Sequence, residues 1–558
     1  MDQGRLILAI VISIVIFLIW SFLSTNYFSP QPPPQKQVQE GQTSPETDTK
    51  EEPYIKEKDS AVVETAPLAQ KPSKQPIQIA RDITVETPLY SVKISAKGAA
   101  FKSYVLKKFR EKVNADSPNK EMVSGDKNKG TLQLSFDGKN RPDLTEAIFS
   151  VDTLTDRVLV SDKPFELPLL WESDQGLMVE KKFIFSPETY LIGLQVTIKN
   201  GTSAVFSDQL VLTLTKDFSE EGQLIGFRGP STLIGDRLEQ IKLKNIEDKN
   251  EYGGNLRWIA VQDRYFLSSI IPQKPLDARM RLFLKDENFL EAQYLPPESI
   301  VHPGTQQTFD YQLYMGPKST KTLSLYDNDL GKVIEFGWFT FLAKPCLLFM
   351  NFLHDNFIPN YGVAIIILTL LTKILLWPLG SKSYKSMSEM KKIQPLIKEL
   401  REKHKNDRKK MNEATMALYR TYKINPLGGC LPMVVQIPVF FGLYRMLYGA
   451  IELRHAPFVF WINDLSAPDR LFRFNFTIPL MDAPYGIPVL TLVMGASMLL
   501  QQKMSPPMGD PTQAKMMMLM PVVFTFIFIN FSSGLVLYWL INNLVSIFQQ
   551  YYITKKRA

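Results

Sequence analysis

The sequence predicts a polytopic α-helical membrane protein, with an N-terminal anchor and a five-helix core bundle, that carries a large antiparallel β-sandwich outside the membrane. Three observations predict this fold class. An uncharged run of 18 residues occupies 6–23, two nearly uncharged stretches occupy 361–379 and 485–552, and apolar and polar residues alternate along much of 81–330. With 558 residues, 45% of them hydrophobic, and only two cysteines, the chain is neither disordered throughout nor a disulfide scaffold.

The chain is predicted to begin with an uncleaved membrane anchor at 1–29. The run at 6–23 is longer than a signal-peptide core of about 7–15 residues, and no small-residue cleavage pattern follows it. A cleaved signal peptide is the alternative. Residues 30–80 contain nine prolines and a single aromatic residue, Tyr54. Because such a segment cannot bury enough apolar surface to offset its ordering entropy, we predict a disordered, proline-rich linker.

Residues 81–335 are predicted to form the β-sandwich. Tyr90, Val92 and Ile94 alternate with polar neighbours, as half-buried strands require, and similar runs recur at 194–199 and 309–314. This region has no cysteine, metal-ligand spacing or phosphate loop. We interpret its scattered acidic residues as a solvated face, and a groove that binds a partner or a glycan is the alternative. The acidic residues concerned are Asp208, Glu220 and Glu221.

The C-terminal part is predicted to hold the core bundle. Residues 336–357 are apolar and aromatic but short and interrupted by Pro345, which favours an amphipathic helix at the membrane interface. The five predicted spans are 358–380, 427–450, 485–503, 516–531 and 534–552, each close to the length that crosses about 30 Å of hydrocarbon. The predicted connections are a periplasmic loop at 451–484, a cytoplasmic loop at 504–515 and a basic tail at 553–558.

Charge predicts the orientation of the bundle. Residues 380–426 contain 13 Lys and Arg against 5 Asp and Glu, so the positive-inside rule places this segment in the cytoplasm. With the anchor, six crossings then leave both termini in the cytoplasm and the sandwich outside. Cys346 and Cys430 fall near opposite faces of the membrane, so they are not expected to pair.

Residues 381–424 are predicted to form a basic helical hairpin. Apolar residues recur at three-to-four spacing in two arms, Lys405, Asn406 and Asp407 suit the turn, and Pro395 is expected to kink the first arm. The charge is either a solvated face or a docking surface for lipid headgroups or ribosomal RNA. The basic residues that would form such a surface are Lys391, Lys392, Arg401, Lys409 and Lys410.

Lys373 is the one charged residue within the span at 358–380. An ionised side chain near the bilayer centre costs roughly 3 kcal/mol or more, so it is a candidate functional residue, with snorkelling to the cytoplasmic surface as the alternative. The other predicted core spans contain no Asp or Glu, so water has to solvate the charge. Polar residues that could line a hydrophilic groove with Lys373 are Thr369, Gln436, Asn542 and Ser546.

Several other functions are disfavoured by the same residues. The spans show no paired acids, charge rings or repeats of the kind that channels and transporters use. The four histidines, the usual partners of a protease nucleophile, all lie outside the spans. No catalytic activity, metal or cofactor is therefore expected. The rival is a scaffold whose sandwich binds partners while the bundle anchors it, and a transporter is a more distant alternative.

A set of short motifs in the C-terminal half carries a family resemblance. They are Asn425-Pro426-Leu427-Gly428-Gly429-Cys430, Pro432, Gln436-Ile437-Pro438, Ala456-Pro457-Phe458, Trp461-Ile462, Asp464-Leu465-Ser466, Gln502-Lys503-Met504-Ser505-Pro506 and Ser533-Gly534-Leu535-Val536-Leu537-Tyr538-Trp539. In these motifs and in its whole organisation the chain resembles the Gram-negative members of the YidC/Oxa family of membrane protein insertases.

The resemblance implies a membrane protein insertase and chaperone of the bacterial inner membrane, with a β-supersandwich outside. It implies that the hydrophilic tail of a nascent inner-membrane protein enters the groove while its apolar helix slides into lipid, alone or with the Sec translocon. The hairpin would recruit substrates, with translating ribosomes and lipids as further partners; no nucleotide, metal or small-molecule substrate is implied. The hydrophobic slide would comprise Met433, Ile437, Phe440, Phe441, Leu535, Tyr538 and Trp539.

Two residues depart from the pattern of the resembled family. The groove charge is usually arginine, whereas this chain has Lys373, which keeps the charge but lacks the bidentate fork. Trp539 stands where tyrosine is common, and both side chains can present an aromatic surface. The outer loop at 467–484 is longer and more aromatic than the resemblance leads us to expect, and the sequence provides no role for it.

Overall fold

The computed structural model describes residues 81–113, 116–124, 130–139, 141–153, 155–219, 227–404, 407–422, 431–505 and 511–555. The predicted anchor at 1–29, the linker at 30–80 and Cys430 lie outside these residues, as do Glu220 and Glu221. The described residues fold into a β-rich part that precedes a helical part, as the sequence predicts.

Strands occupy most of 82–317. They are β1 (Asp82–Glu86), β2 (Tyr90–Ser95), β3 (Ala100–Arg110), β4 (Asn119–Glu121), β5 (Gln133–Phe136), β6 (Ser150–Val151), β7 (Arg157–Leu159), β8 (Phe165–Glu172), β9 (Leu177–Phe185), β10 (Leu191–Asn200), β11 (Phe206–Asp208), β12 (Leu210–Asp217), β13 (Gly229–Ile234), β14 (Arg237–Gln240), β15 (Glu251–Gln262), β16 (Phe266–Pro272), β17 (Leu276–Lys285), β18 (Phe289–Leu295), β19 (Ser299–Val301) and β20 (Gln306–Pro317).

These strands form two principal sheets. One has five strands in the order β4-β3-β2-β1-β7, and the other has 13 strands, with β5-β12-β18-β17-β15-β16-β20-β10-β9-β8-β6 as its main path and β13 and β14 attached through β15. Pairing is antiparallel throughout except between β1 and β7, which are parallel. The alternation of buried and half-buried residues along β9 follows the period of two that predicts a half-buried strand.

The two sheets share one hydrophobic core, which confirms the predicted sandwich. The ring of Phe101 on β3 lies 5.0 Å from that of Phe183 on β9. Lys181, two residues before Phe183, is fully buried and bridges the sheets: its ammonium nitrogen donates to the carbonyls of Ala99 at 2.7 Å and Leu132 at 2.5 Å. A buried polar group has to be hydrogen-bonded, and these carbonyls provide the partners.

One interpretation of the acidic residues is wrong. Asp208 does not belong to a solvated face: it is buried, and its carboxylate accepts from the Nε of Arg141 at 2.5 Å and from the backbone N–H of Gly138 at 3.2 Å. The spacing of charges along the sequence does not reveal this pairing, because Arg141 and Asp208 are 67 residues apart in the chain and meet only in the folded structure.

The helical part begins after the sandwich. Its helices are α1 (Thr320–Leu323), α2 (Thr340–Asn356), α3 (Tyr361–Lys403), α4 (Arg408–Thr421), α5 (Leu431–Gly449), α6 (Val489–Met504), α7 (Pro511–Phe528) and α8 (Ser533–Lys555). A short antiparallel pair, β21 (Leu471–Phe474) and β22 (Tyr485–Ile487), lies between α5 and α6. A hydrophobic core of residues from α2, α3, α5, α6, α7 and α8 joins these helices into one bundle.

Helix α3 differs from the prediction in its length. The span predicted at 358–380 and the first arm of the hairpin form one helix of 43 residues, which continues through Pro378 and Pro395. Helix α2 likewise continues through Pro345. A proline removes only one helical hydrogen bond, and packing on both sides of each proline maintains the helix. Pro345 and Pro395 therefore both lie within continuous helices, and a kink at Pro395 stays a prediction.

The hairpin packs much as predicted. Met390, Ile393 and Ile397 on α3 form a small core with Leu418 and Tyr419 on α4. The sequence pattern assigns Tyr422 to this core, but Tyr422 is exposed and Tyr419 takes its place. Asp407 begins α4, because its carboxylate accepts from the backbone N–H groups of Lys409 and Lys410 at 3.1 and 3.0 Å.

The sandwich contacts the outer end of α5 through two arginines and a half-buried glutamate. Arg264 donates to the carbonyl of Tyr448 at 2.7 Å and stacks 3.5 Å from its ring centre. Arg454 donates to the carbonyl of Arg110 at 2.5 Å. Glu452 accepts from the hydroxyl of Ser319 at 3.3 Å, and burial raises the pKa of its carboxyl. These bonds hold the two parts of the chain against each other.

Among the described residues, α3 is the one helix that is long and apolar enough to cross a membrane by length and composition, and Met516–Phe528 is a shorter apolar helix. Cys346 is a buried free thiol on α2, and burial raises its pKa. The six-crossing topology stays a prediction.

Candidate functional site

Lys373 lies where α3 packs against α8. Its ammonium nitrogen donates to the hydroxyl of Ser546 at 2.8 Å, and that hydroxyl donates in turn to the carbonyl of Asn542, also at 2.8 Å. In the described part of the chain this neutral hydroxyl is its hydrogen-bonding partner, and no carboxylate forms an ion pair with it. The charge is therefore oriented by a hydrogen bond but not neutralised.

A cavity of about 380 Å³ lies beside Lys373, between α3 and α8. Lys373 is the one ionisable residue among those described that line it. The other lining residues are apolar or aromatic: Leu370, Ile374, Trp377, Leu544, Val545 and Phe548. Several of these, Ile374 and Phe548 among them, are also exposed on the outer surface of the bundle. The cavity thus brings a cation next to an apolar surface.

Polar residues of α8 connect it to three other helices. Gln436 on α5 donates to the side-chain oxygen of Asn542 at 2.7 Å. Asn543 donates to the hydroxyl of Ser497 on α6 at 3.2 Å. Gln549 donates to the carbonyl of Trp377 on α3 at 3.0 Å. We call these residues of α8, together with Ser546, the polar ladder.

Four of the five predicted groove residues meet at the polar ladder, and Thr369 stands apart. Lys373, Ser546 and Asn542 form a continuous chain of hydrogen bonds, which Gln436 extends to α5. Thr369 is fully buried, and its hydroxyl donates to the carbonyl of Ile365 in its own helix at 2.6 Å. Thr369 is thus a packing residue of α3 that lines no groove.

Gln549 was not among the groove residues predicted from the sequence. It is buried and contacts α3 one turn beyond Lys373, where Gly380 leaves room for it: a Cβ at Gly380 would stand 2.9 Å from the Gln549 side chain. Its spacing could have revealed it, because Asn542, Ser546 and Gln549 follow one another at i, i+4 and i+7 and so share one face of α8.

The predicted slide is divided between the core of the bundle and its surface. Leu535 and Tyr538 are buried in the bundle core, and Trp539 packs edge-on against Phe440 with ring centres 4.7 Å apart. Phe441 is half-buried, whereas Ile437 is exposed. The side chain of Met433 lies outside the described residues. Helix α7 also exposes apolar residues on the surface of the bundle; its outward residues include Leu519, Val523, Phe526 and Ile527.

The hairpin presents its predicted basic residues to solvent. Lys391, Lys392, Lys409 and Lys410 are exposed, and Arg401 is half-buried. Lys410 lies 3.6 Å from the carboxylate of Asp407 within one turn, a contact too exposed to neutralise the surface. Among the described residues, no cluster of three or more His, Cys, Asp or Glu side chains is suited to hold a metal ion.

Comparison with known proteins identifies the family. Residues 82–349 match the family model described as the YidC periplasmic domain, and residues 352–558 match the model described as the 60Kd inner membrane protein. A membrane protein insertase YidC from Syntrophobacter fumaroxidans is 40% identical over 99% of this chain and 100% of its own length. The chain belongs to the YidC family.

A second relative agrees with this assignment. The YidC insertase of Syntrophus aciditrophicus is 42% identical over 85% of each chain. A crystal structure of an active YidC insertase with its first transmembrane domain resolved is 19% identical, with a TM-score of 0.37 over 85% of this chain and 93% of that one. As a YidC family member, the protein is an inner-membrane protein with a periplasmic domain, the β-rich part at 82–349.

Proposed function

We propose that this protein inserts nascent membrane proteins into the inner membrane and that Lys373 provides the charge that receives the hydrophilic segment of the substrate. The observation that carries the proposal is the hydrogen bond from Lys373 to Ser546 without a carboxylate partner in the described part of the chain. An ion pair would already satisfy the charge, whereas a neutral hydroxyl orients it and leaves it able to attract an anionic group.

The strength of this attraction is sufficient to matter. A carboxylate about 4 Å from the ammonium gains about 4 kcal/mol at an effective dielectric constant of 20, which is comparable to the cost of about 3 kcal/mol of holding a charge within the membrane. A passing acidic tail would therefore be bound transiently rather than trapped. Gln436 and the residues of the polar ladder would offer hydrogen bonds to the tail. These would replace the hydrogen bonds that the same residues form with one another.

The apolar helix of the substrate needs a surface along which to enter lipid. We assign this surface to Ile437, Phe440 and Phe441 of α5 together with the outward residues of α7, because these are at least partly exposed. Leu535, Tyr538 and Trp539 would support it from the bundle core. Partitioning of the substrate helix then supplies the free energy, at roughly 25 cal/mol for each Å² of apolar surface removed from water.

The basic hairpin would recruit substrates before insertion. Its exposed lysines lie on the cytoplasmic continuation of α3 and on α4, and they suit anionic partners: lipid headgroups, acidic segments of clients or ribosomal RNA. Six crossings with both termini in the cytoplasm, cooperation with the Sec translocon and a chaperone role for clients complete the proposal. The excess of positive charge in the hairpin supports this orientation.

A reconstituted insertion assay tests the proposal. Purified protein in liposomes is given a single-span substrate with an acidic tail, and insertion is measured as protection of the tail from added protease. Lys373→Arg should retain insertion and Lys373→Ala should lose it. Lys344→Ala, which removes an exposed lysine of α2, is the matched control and should behave as wild type.

A second substrate with a neutral tail separates charge from packing. The loss caused by Lys373→Ala should be smaller for this substrate, because the ammonium has no tail charge to attract. Equal insertion of the acidic substrate by wild type and Lys373→Ala would refute the proposed role of the charge and leave the apolar surface as the sole cause of insertion.

A further inference from the structure

The outer loop that the sequence left without a role folds into a small, firmly held hairpin. We call residues 469–487, which contain β21 and β22, the outer hairpin. The guanidinium of Arg470 connects it to the bundle. Arg470 donates to the carbonyl of Ile529 at 2.8 Å, to the carbonyl of Pro484 at 2.9 Å and to the side-chain oxygen of Asn530 at 3.2 Å. Since Ile529 and Asn530 follow α7 directly, the outer hairpin is bound to the end of that helix.

A second set of hydrogen bonds, made by Asp469, binds the outer hairpin to α6. Asp469 is buried; it accepts from the indole N–H of Trp461 at 2.5 Å and from the backbone N–H of Leu490 at the beginning of α6. Asn530 completes the contact by accepting from the backbone N–H of Asp482 at 2.9 Å. Asp469 and Arg470 thus turn toward the helix ends.

Three large apolar side chains of the outer hairpin are exposed. Phe472, Phe476 and Leu480 expose 69%, 63% and 78% of their surface. Phe472 and Leu480 adopt left-handed backbone angles, with φ of 51° and 65°, which bulky residues rarely adopt. A loop in water would be expected to show the opposite arrangement, with polar groups outward and aromatic groups packed inward.

The neighbouring helices indicate what covers these side chains. The outward residues Phe526 and Ile527 of α7 lie just before Asn530, and the outward residues Leu492 and Val493 of α6 follow Leu490. In an inner-membrane protein such residues face lipid, and the exposed side chains of the outer hairpin continue their surface beyond the helix ends. Aromatic residues and arginine are the side chains that membrane interfaces favour.

The size of the surface also favours lipid over a protein partner. The three exposed side chains together present roughly 400 Å², taking about 200 Å² for each large side chain, whereas a stable protein interface buries about 800 Å² on each partner. Insertion into lipid has no such threshold, because each apolar side chain contributes separately.

We propose that the outer hairpin is an interfacial anchor, which inserts Phe472, Phe476 and Leu480 into the boundary between headgroups and acyl chains of the leaflet nearest the sandwich. Because Arg470 and Asp469 bind it to the ends of α6 and α7, the anchor sets the depth at which these helices lie in the bilayer. This role is independent of the charge at Lys373.

Lipid quenching of a probe on the full chain tests the anchor. An environment-sensitive fluorophore is attached at Phe476→Cys, in a chain with Cys346→Ala and Cys430→Ala, and the protein is reconstituted in phosphatidylcholine–phosphatidylglycerol vesicles. Nitroxide lipids labelled near the headgroup should quench strongly, and those labelled near the end of the acyl chain weakly. Iodide in the water should quench little.

Two control positions calibrate the depth. Leu159→Cys, on the exposed edge of the sandwich, should be quenched by iodide alone, and Phe526→Cys, on α7, by the lipid probes. Leu480→Cys repeats the measurement if the Phe476 variant does not show wild-type gel filtration. Quenching of both outer-hairpin probes by iodide alone would overturn the anchor, and protection from every quencher would replace it with a protein contact.

Discussion

Replacing Lys181 with methionine is expected to remove a pH dependence from the stability of the sandwich. Burial lowers the pKa of Lys181 from its ordinary 10.5 to about 7. A neutral amine has two N–H groups, which matches the two carbonyls, of Ala99 and Leu132, to which the side chain donates. Methionine has a similar shape but can neither titrate nor donate.

The direction of this pH dependence follows from the pKa of Lys181 in the unfolded and in the folded chain. As the pH falls below 10.5 the unfolded chain takes up a proton at this position, whereas the folded chain does so only near pH 7. Over this range the wild type loses stability as the pH falls, by about 1.4 kcal/mol per pH unit, and below pH 7 the loss is complete. Between pH 9 and pH 7 the loss is about 2 kcal/mol, because titration is half complete at the lower limit.

The methionine variant should lack this loss. It also leaves the two carbonyls without their donor, which costs about 1–3 kcal/mol each, so it should be less stable than wild type at pH 9. At pH 7 the difference between wild type and Lys181→Met in the free energy of unfolding should be smaller than at pH 9 by about 2 kcal/mol. Pulse proteolysis of the full-length protein in urea, at pH 7 and pH 9, measures the unfolding of the sandwich.

Lys182 provides the matched control. It is the next residue on β9, points to the opposite face and forms an ion pair with Glu166 at 3.3 Å near the surface. Lys182→Met should therefore keep the pH dependence of wild type. If the free energy of unfolding changes equally between pH 7 and pH 9 in wild type and in Lys181→Met, the conclusion that Lys181 is buried as a neutral amine is refuted.

Three further predictions concern the bundle and its hairpin. Gln436→Cys should react with a membrane-impermeant thiol reagent added from the cytoplasmic side, because the proposed groove is open to water there; absence of labelling would exclude such a groove. Asp407→Ala removes the acceptor of two backbone N–H groups and should destabilise α4 by about 1 kcal/mol, measurable as faster hydrogen exchange in 408–421, whereas Asp407→Asn should retain most protection. Deletion of most of 81–320 should leave insertion of the acidic-tailed substrate measurable in liposomes, whereas a scaffold would lose its activity.

Local patterns predicted the secondary structure well where one face of an element is buried. The alternation at Tyr90, Val92 and Ile94 corresponds to β2, and the spacing of Met390, Ile393 and Ile397 corresponds to the face of α3 that contacts α4. In both cases the period of the sequence equals the period of burial, so local residues contain the information.

Prediction was weaker where distant residues determine the environment. Asp208 on β11 pairs with Arg141 in the loop that follows β5, and Gln549 meets α3 at Gly380; both contacts depend on tertiary packing. The slide residues Leu535 and Tyr538 are apolar on a helix that packs on several sides, so composition alone could not distinguish a lipid-facing position from a core position. The length of α3 was underestimated because the span was ended where the apolar run gives way to the basic segment, whereas the helix continues into that segment.

The unbroken course of α3 has a geometric consequence for the two ends of the site. Lys373 and Lys391 are 18 residues apart on this one helix, which corresponds to five complete turns of an ideal α-helix and a rise of about 27 Å. Lys373 and Lys391 of the basic hairpin therefore lie along the same side of a single helix. An acidic chain released at the hairpin would meet the second cation by moving parallel to the helix axis, without having to travel around it.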